Sequence, residues 1–282
     1  MIEPENQSGV HRYDHPAMNT VFSLRMAEVD YETGLRAAGA CFRRLEQLEG
    51  TLSRYRDDSD VSRINALRAG EQLLIDEDTH HCLRLAMECG PATGGLFDVT
   101  LGARIEHRKG RREGDPPALR GRLEVAPDRG LVTCVEPGRE IDLGGIGKGF
   151  ALDRMAEVLD DHGIATALLS CAGSTMLAKG KHAWPVCLRG EKVDTLSLQR
   201  EALSASGTGF QGAHVLRPDA GAVAYAFNRV WVIADCAARA DAFSTAVLLM
   251  DPSELAEFVS AIPQAKRCFA ERSEADGLIS WP

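Results

Sequence analysis

The stretch Ile141-Asp-Leu-Gly-Gly-Ile-Gly-Lys-Gly-Phe150 constrains this chain more than any other. Glycine accepts backbone conformations and close approaches that other residues refuse, so Gly144, Gly145, Gly147 and Gly149 together mark a tight turn. Arg139-Glu-Ile-Asp-Leu before it is expected to be a short strand. Phe150–His162 after it is expected to be a helix, with Ala151, Met155, Val158, Leu159 and His162 as one stripe and Gly163 as its stop. A strand, a glycine turn and a helix N-terminus offer free backbone N–H groups and a positive dipole end to an anion. Lys148 adds a full charge, and only six of the 32 basic residues are lysine, so a phosphate is the natural ligand. The pattern is not a Walker A loop, because Asp142 stands where Gly belongs and Gly149 where Ser or Thr belongs. Nor is it the dinucleotide G-x-G-x-x-G. The plain alternative is a strand-to-helix turn that needs small residues and binds nothing.

Other constellations carry possible chemistry, each beside a structural alternative. Asp241 and Thr245 stand four apart on an expected helix, so both oxygens face one way. A carboxylate and a hydroxyl suit a hard cation such as Mg²⁺, which takes few protein ligands; a helix cap and a back-bonded threonine are the alternative. Asp98, within Thr93-Gly-Gly-Leu-Phe-Asp-Val-Thr, would bond a ligand or tie down a turn. Ser204–His214 is rich in small residues and reads as a loop that lets a ligand approach the backbone. His214 in it is a candidate for proton transfer or phosphate contact, or a satisfied structural histidine. Tyr55, in a polar loop, is placed to stack on a planar ring or merely to anchor the surface.

Composition excludes several classes. The net charge is −9, from 32 basic against 41 acidic residues, and the basic residues are dispersed apart from Arg108, Lys109, Arg111 and Arg112. A nucleic-acid binder would present an electropositive face, so that class is set aside, and the four-residue cluster reads as a solvated loop. No apolar window is long enough to span a membrane. Residues 1–20 carry charges throughout and no apolar h-region, so a cytoplasmic location is expected. The eight cysteines show no CxxC or Cys/His zinc spacing, and those within apolar runs (Cys134, Cys187, Cys236) read as small buried hydrophobes.

Along the chain, a strand is expected over 20–26, helices over 31–50 and 76–90, and a charged surface excursion over 104–125. Strands follow over 164–171, 184–189, 195–203 and 229–234, and a buried helix over 239–250. The organisation is one α+β unit built as two fused lobes.

In order and spacing these segments resemble the ApbE family, the FAD:protein FMN transferases. The matching pieces are Ala17–Thr20, Leu52–Tyr55 with Ser59 and Asn65, Gly95–Thr100, Asp142–Asp153, Ser206-Gly207 with His214, and Ala240–Ala246. The resemblance implies an α+β, T-fold-related, two-lobed single domain with a central ligand cleft, here residues 17–282 after an N-terminal extension of 1–16. It implies Mg²⁺-dependent transfer of the FMN half of FAD to a Thr or Ser hydroxyl of a target flavoprotein, with release of AMP. By position, Met18 and Tyr55 would touch the isoalloxazine, and Leu96, Phe97 and Asp98 would lie beside the flavin. Asp142 and Lys148 would contact FAD, while Asp241, Thr245 and the carbonyl of Gly145 would hold the metal. Asp241 and His214 are the candidate bases. The sequence departs from the family at Asn19, where glycine is usual, at Ala172-Gly-Ser-Thr175, and at His214-Val-Leu-Arg217-Pro-Asp-Ala-Gly221. Two other readings stay in view: an FAD pyrophosphatase, with water in place of the acceptor, and, given the altered loops at 174–175 and 217–220, a non-catalytic FAD-binding protein.

Overall fold

The computed structural model describes residues 9–189, 193–208, 217, 225–272 and 277–282. The chain begins with strands β1 (Val10–Ala17) and β2 (Thr20–Ala27), then helices α1 (Tyr31–Leu52) and α2 (Asp60–Asn65), β3 (Gln72–Leu74), α3 (Glu77–Ala92) and α4 (Gly102–Arg108). It continues through β4 (Arg122–Val125), β5 (Leu131–Glu136), α5 (Gly147–Asp161), β6 (Ala167–Cys171), β7 (Thr175–Lys179), β8 (Trp184–Arg189) and β9 (Val193–Leu198). The last elements are β10 (Ala202–Gly207), β11 (Arg229–Ala234), α6 (Ala237–Val247), α7 (Pro252–Ala261), β12 (Ala265–Glu271) and β13 (Ile279–Trp281).

The main sheet is antiparallel, in the order β1-β2-β6-β7-β10-β11-β12-β13. Its central strands are apolar on both faces. Along β11, Val230, Val232 and Ala234 enter the principal core, while Trp231 and Ile233 enter a second cluster on the opposite face. The β8–β9 hairpin covers that second face with Trp184, Val186, Leu188 and Leu198. On the principal face lie α5 and α6, packed on each other and on β7, with α1 against α5 and α3 against α6. Helix α1 buries Ala37, Ala38, Cys41, Phe42, Leu45 and Leu48 at helical spacing, and Asp30 caps its first turn by accepting from Thr33 N. A separate small antiparallel sheet runs in the order β3-β5-β4.

Several expectations change. β1, which overlaps the segment read as an extension, is the edge strand of the main sheet. Of its residues only Tyr13 and Ala17 are buried, and Pro16 is tolerated at an edge. Residues 139–143 form no ladder: Leu101 and Glu140 make a single parallel bridge. The expected strand 195–203 divides, because β9 pairs with β8 while β10 crosses into the main sheet between β7 and β11. The small residues from Ser204 to Gly207 are therefore ladder residues of β10 and not a loop. The excursion 104–125 contains α4 and β4, and Cys187 is exposed rather than buried.

Candidate functional site

Side chains hold the glycine turn in place. Asn65, at the end of α2, clamps the backbone of Ile141 twice: its Nδ2 donates to Ile141 O (3.0 Å) and its Oδ1 accepts from Ile141 N (2.6 Å). This amide takes over the role of a ladder partner. Asp142 N then donates to Val99 O, and Asp142 Oδ1 accepts from Gly144 N at 2.8 Å, which closes the turn. The nearly buried Arg54 guanidinium binds Asp142 Oδ2 (3.1 Å) and Glu140 (3.0 Å), so the carboxylate is fixed on both oxygens. Lys148, in the first turn of α5, donates to Gly144 O at 2.7 Å, and its Nζ lies 3.9 Å from Asp241 Oδ2.

That last distance depends on how closely α5 and α6 cross. A Cβ on Gly149 would lie 2.1 Å from Ala237 O, so only glycine permits the approach. The crossing is tied twice. Gly149 N donates to Asp241 Oδ2 at 3.1 Å, and Asp153 accepts from Ala237 N and Ala238 N, capping α6. Burial pushes the Asp153 carboxyl up to about 6, against the pull of those two N–H groups. One turn beyond Asp241, Thr245 donates to Asp241 O at 3.1 Å, and its Oγ1 would stand 3.1 Å from a Cβ on Gly145. Beneath them runs a chain of hydroxyls: Ser244 with Asp241 O and Ser206, and Ser204 with Ser244 and Thr175.

This group fits a hard cation. Thr245 has committed its hydrogen to Asp241 O, so its oxygen lone pairs are available. Asp241 uses Oδ2 toward Gly149, which leaves Oδ1, and Gly145, whose carbonyl would be a third oxygen donor, packs against Thr245. All three donors are oxygen, and one carboxylate with few protein ligands is the habit of Mg²⁺. Among the described residues no cluster of three or more His, Cys, Asp or Glu side chains forms a competing metal site. The thiols of Cys171 and Cys236 are pushed up to about 12 by burial and offer no thiolate.

Beside this group opens a cleft of about 180 Å³. It lies where the β1–β2 turn, the C-terminal end of α1, the end of α4 and the glycine turn meet. Met18, Tyr55, Asp142 and Lys148 all line it, so the structure gathers four of the expected flavin contacts. Met18 and Asn19 form a two-residue hairpin turn with φ of 50° and 58°. Such turns want glycine or asparagine, which accounts for Asn19 and leaves Met18 strained at the mouth of the cleft. Leu96, Phe97 and Asp98 do not line the cleft: Phe97 is buried with its ring edge beside Gly145, and Asp98 binds Thr100 and Arg139. His214 lies outside the described residues.

Sequence reasoning placed Arg54 and Asn65 in a family-like segment without giving either a role, and it missed Glu140, which carries no motif of its own. It also misread the basic cluster. Lys109 lines the cleft, Arg111 lies over the Tyr55 ring with Cζ 4.9 Å from its centroid, and Arg112 pairs with Glu140 at 2.6 Å.

Comparison with known proteins agrees on one family. The sequence pattern of the ApbE family matches residues 18–269. A protein named FAD:protein FMN transferase from Treponema pallidum (strain Nichols) is 28% identical over 150 residues, 47% of this chain and 41% of that protein. A second of that name, from Salmonella typhimurium, is 22% identical over 299 residues, 94% of this chain and 85% of that protein. The apo flavinyl transferase ApbE of Pseudomonas stutzeri superposes with a TM-score of 0.83 at 22% identity, covering 99% of this chain and 96% of that one. The α+β fold expected from sequence is therefore the fold observed. No helix among the described residues is long and apolar enough to cross a membrane.

Proposed function

The chain belongs to the ApbE family, and from that premise we propose that it is an FAD:protein FMN transferase, moving the FMN half of FAD to a Thr or Ser hydroxyl of an acceptor flavoprotein with Mg²⁺ present and AMP released. The observation that carries the reading is the α5–α6 crossing at Gly149. It gathers Lys148, Asp241, Thr245 and the Gly145 backbone beside a cleft that also holds an exposed tyrosine ring.

On this reading the isoalloxazine lies against Met18 and Tyr55, while Leu96, Phe97 and Asp98 stand outside the cleft lining, Phe97 packing beside Gly145. Asp142, oriented by Arg54, and Lys148 hold FAD, the lysine toward the diphosphate. Asp241, Thr245 and the carbonyl of Gly145 would hold Mg²⁺, which supplies charge neutralisation at the diphosphate. Transfer forms a bond from the acceptor oxygen to the FMN phosphorus and breaks the bridging P–O bond, whose electron pair leaves with AMP. The proton of the acceptor hydroxyl passes to one of the two candidate bases, His214 or Asp241. Lys148 stands where negative charge grows on the phosphoryl oxygens, and the fixed turn keeps it there before substrate arrives.

The test is incubation with FAD, Mg²⁺ and a candidate acceptor, followed by AMP chromatography and in-gel flavin fluorescence. The expected result is a fluorescent acceptor with matching AMP, both lost in Asp241→Ala and Thr245→Val. AMP without a labelled acceptor would make the protein an FAD pyrophosphatase. Tight FAD binding without AMP would make it a binding protein.

A further inference from the structure

We propose that Glu106 is a positioning residue that braces Tyr55 as the platform for a flat ring, and that the basic segment after α4 is part of this brace. The inference rests on the reading of the cleft as a flavin site. Tyr55 is 51% exposed and sits on a loop, so on its own the ring would sample several rotamers. It does not stand alone. Its hydroxyl donates to Glu106 Oε1 at 3.0 Å and accepts from Lys109 Nζ at 3.3 Å. The Glu106 side chain is only 10% exposed, and Lys109 (3.7 Å) and Arg111 (3.5 Å) flank the same oxygen. One nearly buried carboxylate therefore ties together the tyrosine hydroxyl and two cations.

Three cations surround the Tyr55 ring. Tyr55 and Lys109 line the cleft and Arg111 does not, although its guanidinium lies over the Tyr55 ring. The exposed Tyr55 ring is thus flanked by Arg111 from outside the cleft lining and, at 6.0 Å from its centroid, by the cleft-lining Arg54 and Lys109. Lys109 sits at the hydroxyl edge, where the carbonyl edge of a stacked heterocycle would meet a donor. A platform held in its binding orientation spares the ligand the entropy of ordering it.

Riboflavin is the probe, because it presents the ring without the diphosphate and so reports on Tyr55 and not on Lys148. Binding is read from quenching of its fluorescence, with FAD measured in parallel and melting curves confirming that each variant folds. Glu106→Ala and Tyr55→Phe should each weaken riboflavin binding about tenfold, the scale of losing one hydrogen bond to a charged group. The double variant should lose little more, since both remove one contact. Glu106→Gln keeps an acceptor for the tyrosine and should stay within about threefold of wild type. In the transfer assay Glu106→Ala should raise KM for FAD and leave kcat nearly unchanged. Wild-type binding that Glu106→Ala and Tyr55→Phe leave unaltered overturns the brace alone, as does equal loss in Glu106→Gln and Glu106→Ala. A wild-type protein that binds neither riboflavin nor FAD overturns the flavin reading with it.

Discussion

Replacing Gly149 with alanine tests the packing that brings Lys148 to Asp241. The new Cβ would stand 2.1 Å from Ala237 O and 2.9 Å from Ala238 Cα. Both are backbone atoms, so no side chain can swing aside and one helix must move. Overpacking of this kind costs about 1–3 kcal/mol. The same movement stretches the bond from Gly149 N to the buried Asp241 carboxylate, and a hydrogen bond to a charged group contributes about 1.5–3 kcal/mol. A loss of about 3–5 kcal/mol follows, large for one methyl group. In a chain of this size each kcal/mol moves Tm by about 2–4 °C, so calorimetry should show a fall of about 10–15 °C. Gly147→Ala is the control. Its Cβ would meet nothing nearer than Leu143 Cβ at 3.6 Å, an ordinary contact, and alanine's helix propensity favours it by up to about 1 kcal/mol. Gly149→Ala should also lose transferase activity below its own Tm, because Lys148 and Asp241 are drawn apart. Near-wild-type melting of Gly149→Ala, or an equal fall in Gly147→Ala, would refute the reasoning.

Asp153 should make stability depend on pH. Its carboxyl is raised to about 6 in the folded chain, above the ordinary aspartate value, so the folded state holds the proton more tightly. The stability this supplies is fully present below about pH 4 and is lost as pH rises through 6, a change of about 3 kcal/mol. Asp153→Asn should flatten that part of a Tm-against-pH curve. Arg54→Met leaves Asp142 and Glu140 without their shared cation and should cost about 3–5 kcal/mol in urea unfolding. Asn65→Ala frees both backbone groups of Ile141 and should cost about 2 kcal/mol by the same measurement. Met18→Gly relieves a φ of 50° and should raise Tm slightly, by about 1 kcal/mol of stability, while weakening FAD binding through the lost side chain.

Helices α1, α3 and α5 were legible because each carries an apolar stripe of period 3.6 and a recognisable start or stop, and α6 because it is small and apolar nearly all round. The misses have a common cause. β1 and residues 139–143 take their structure from pairing with other segments, so their own composition says little. β1 is held by the ladder to β2, and Ile141 by an asparagine 76 positions away. The strand expected over 195–203 breaks at Gln199-Arg200-Glu201, where Arg200 takes a φ of 51°, and its halves pair in different sheets.

The site divides along the same line. Gly144–Gly149 with Lys148, and Asp241 with Thr245, were visible because their chemistry is written at short spacing on one element. Their meeting was implied only by the family resemblance and not by the residues themselves, since it depends on Gly149 facing Ala237 across two helices. Tyr55 was visible as an odd aromatic in a polar loop, but what holds it was hidden. Glu106 stands among Arg104, His107, Arg108 and Lys109, and in one dimension such a residue looks like any solvated charge. Only the fold shows that Lys109 and Arg111 turn back onto that carboxylate and the tyrosine it holds. A surface cluster of mixed charge is thus weak evidence of a solvated loop wherever an exposed aromatic lies within reach of it. There a buried carboxylate and two flanking cations give the ring an orientation that solvent alone would not.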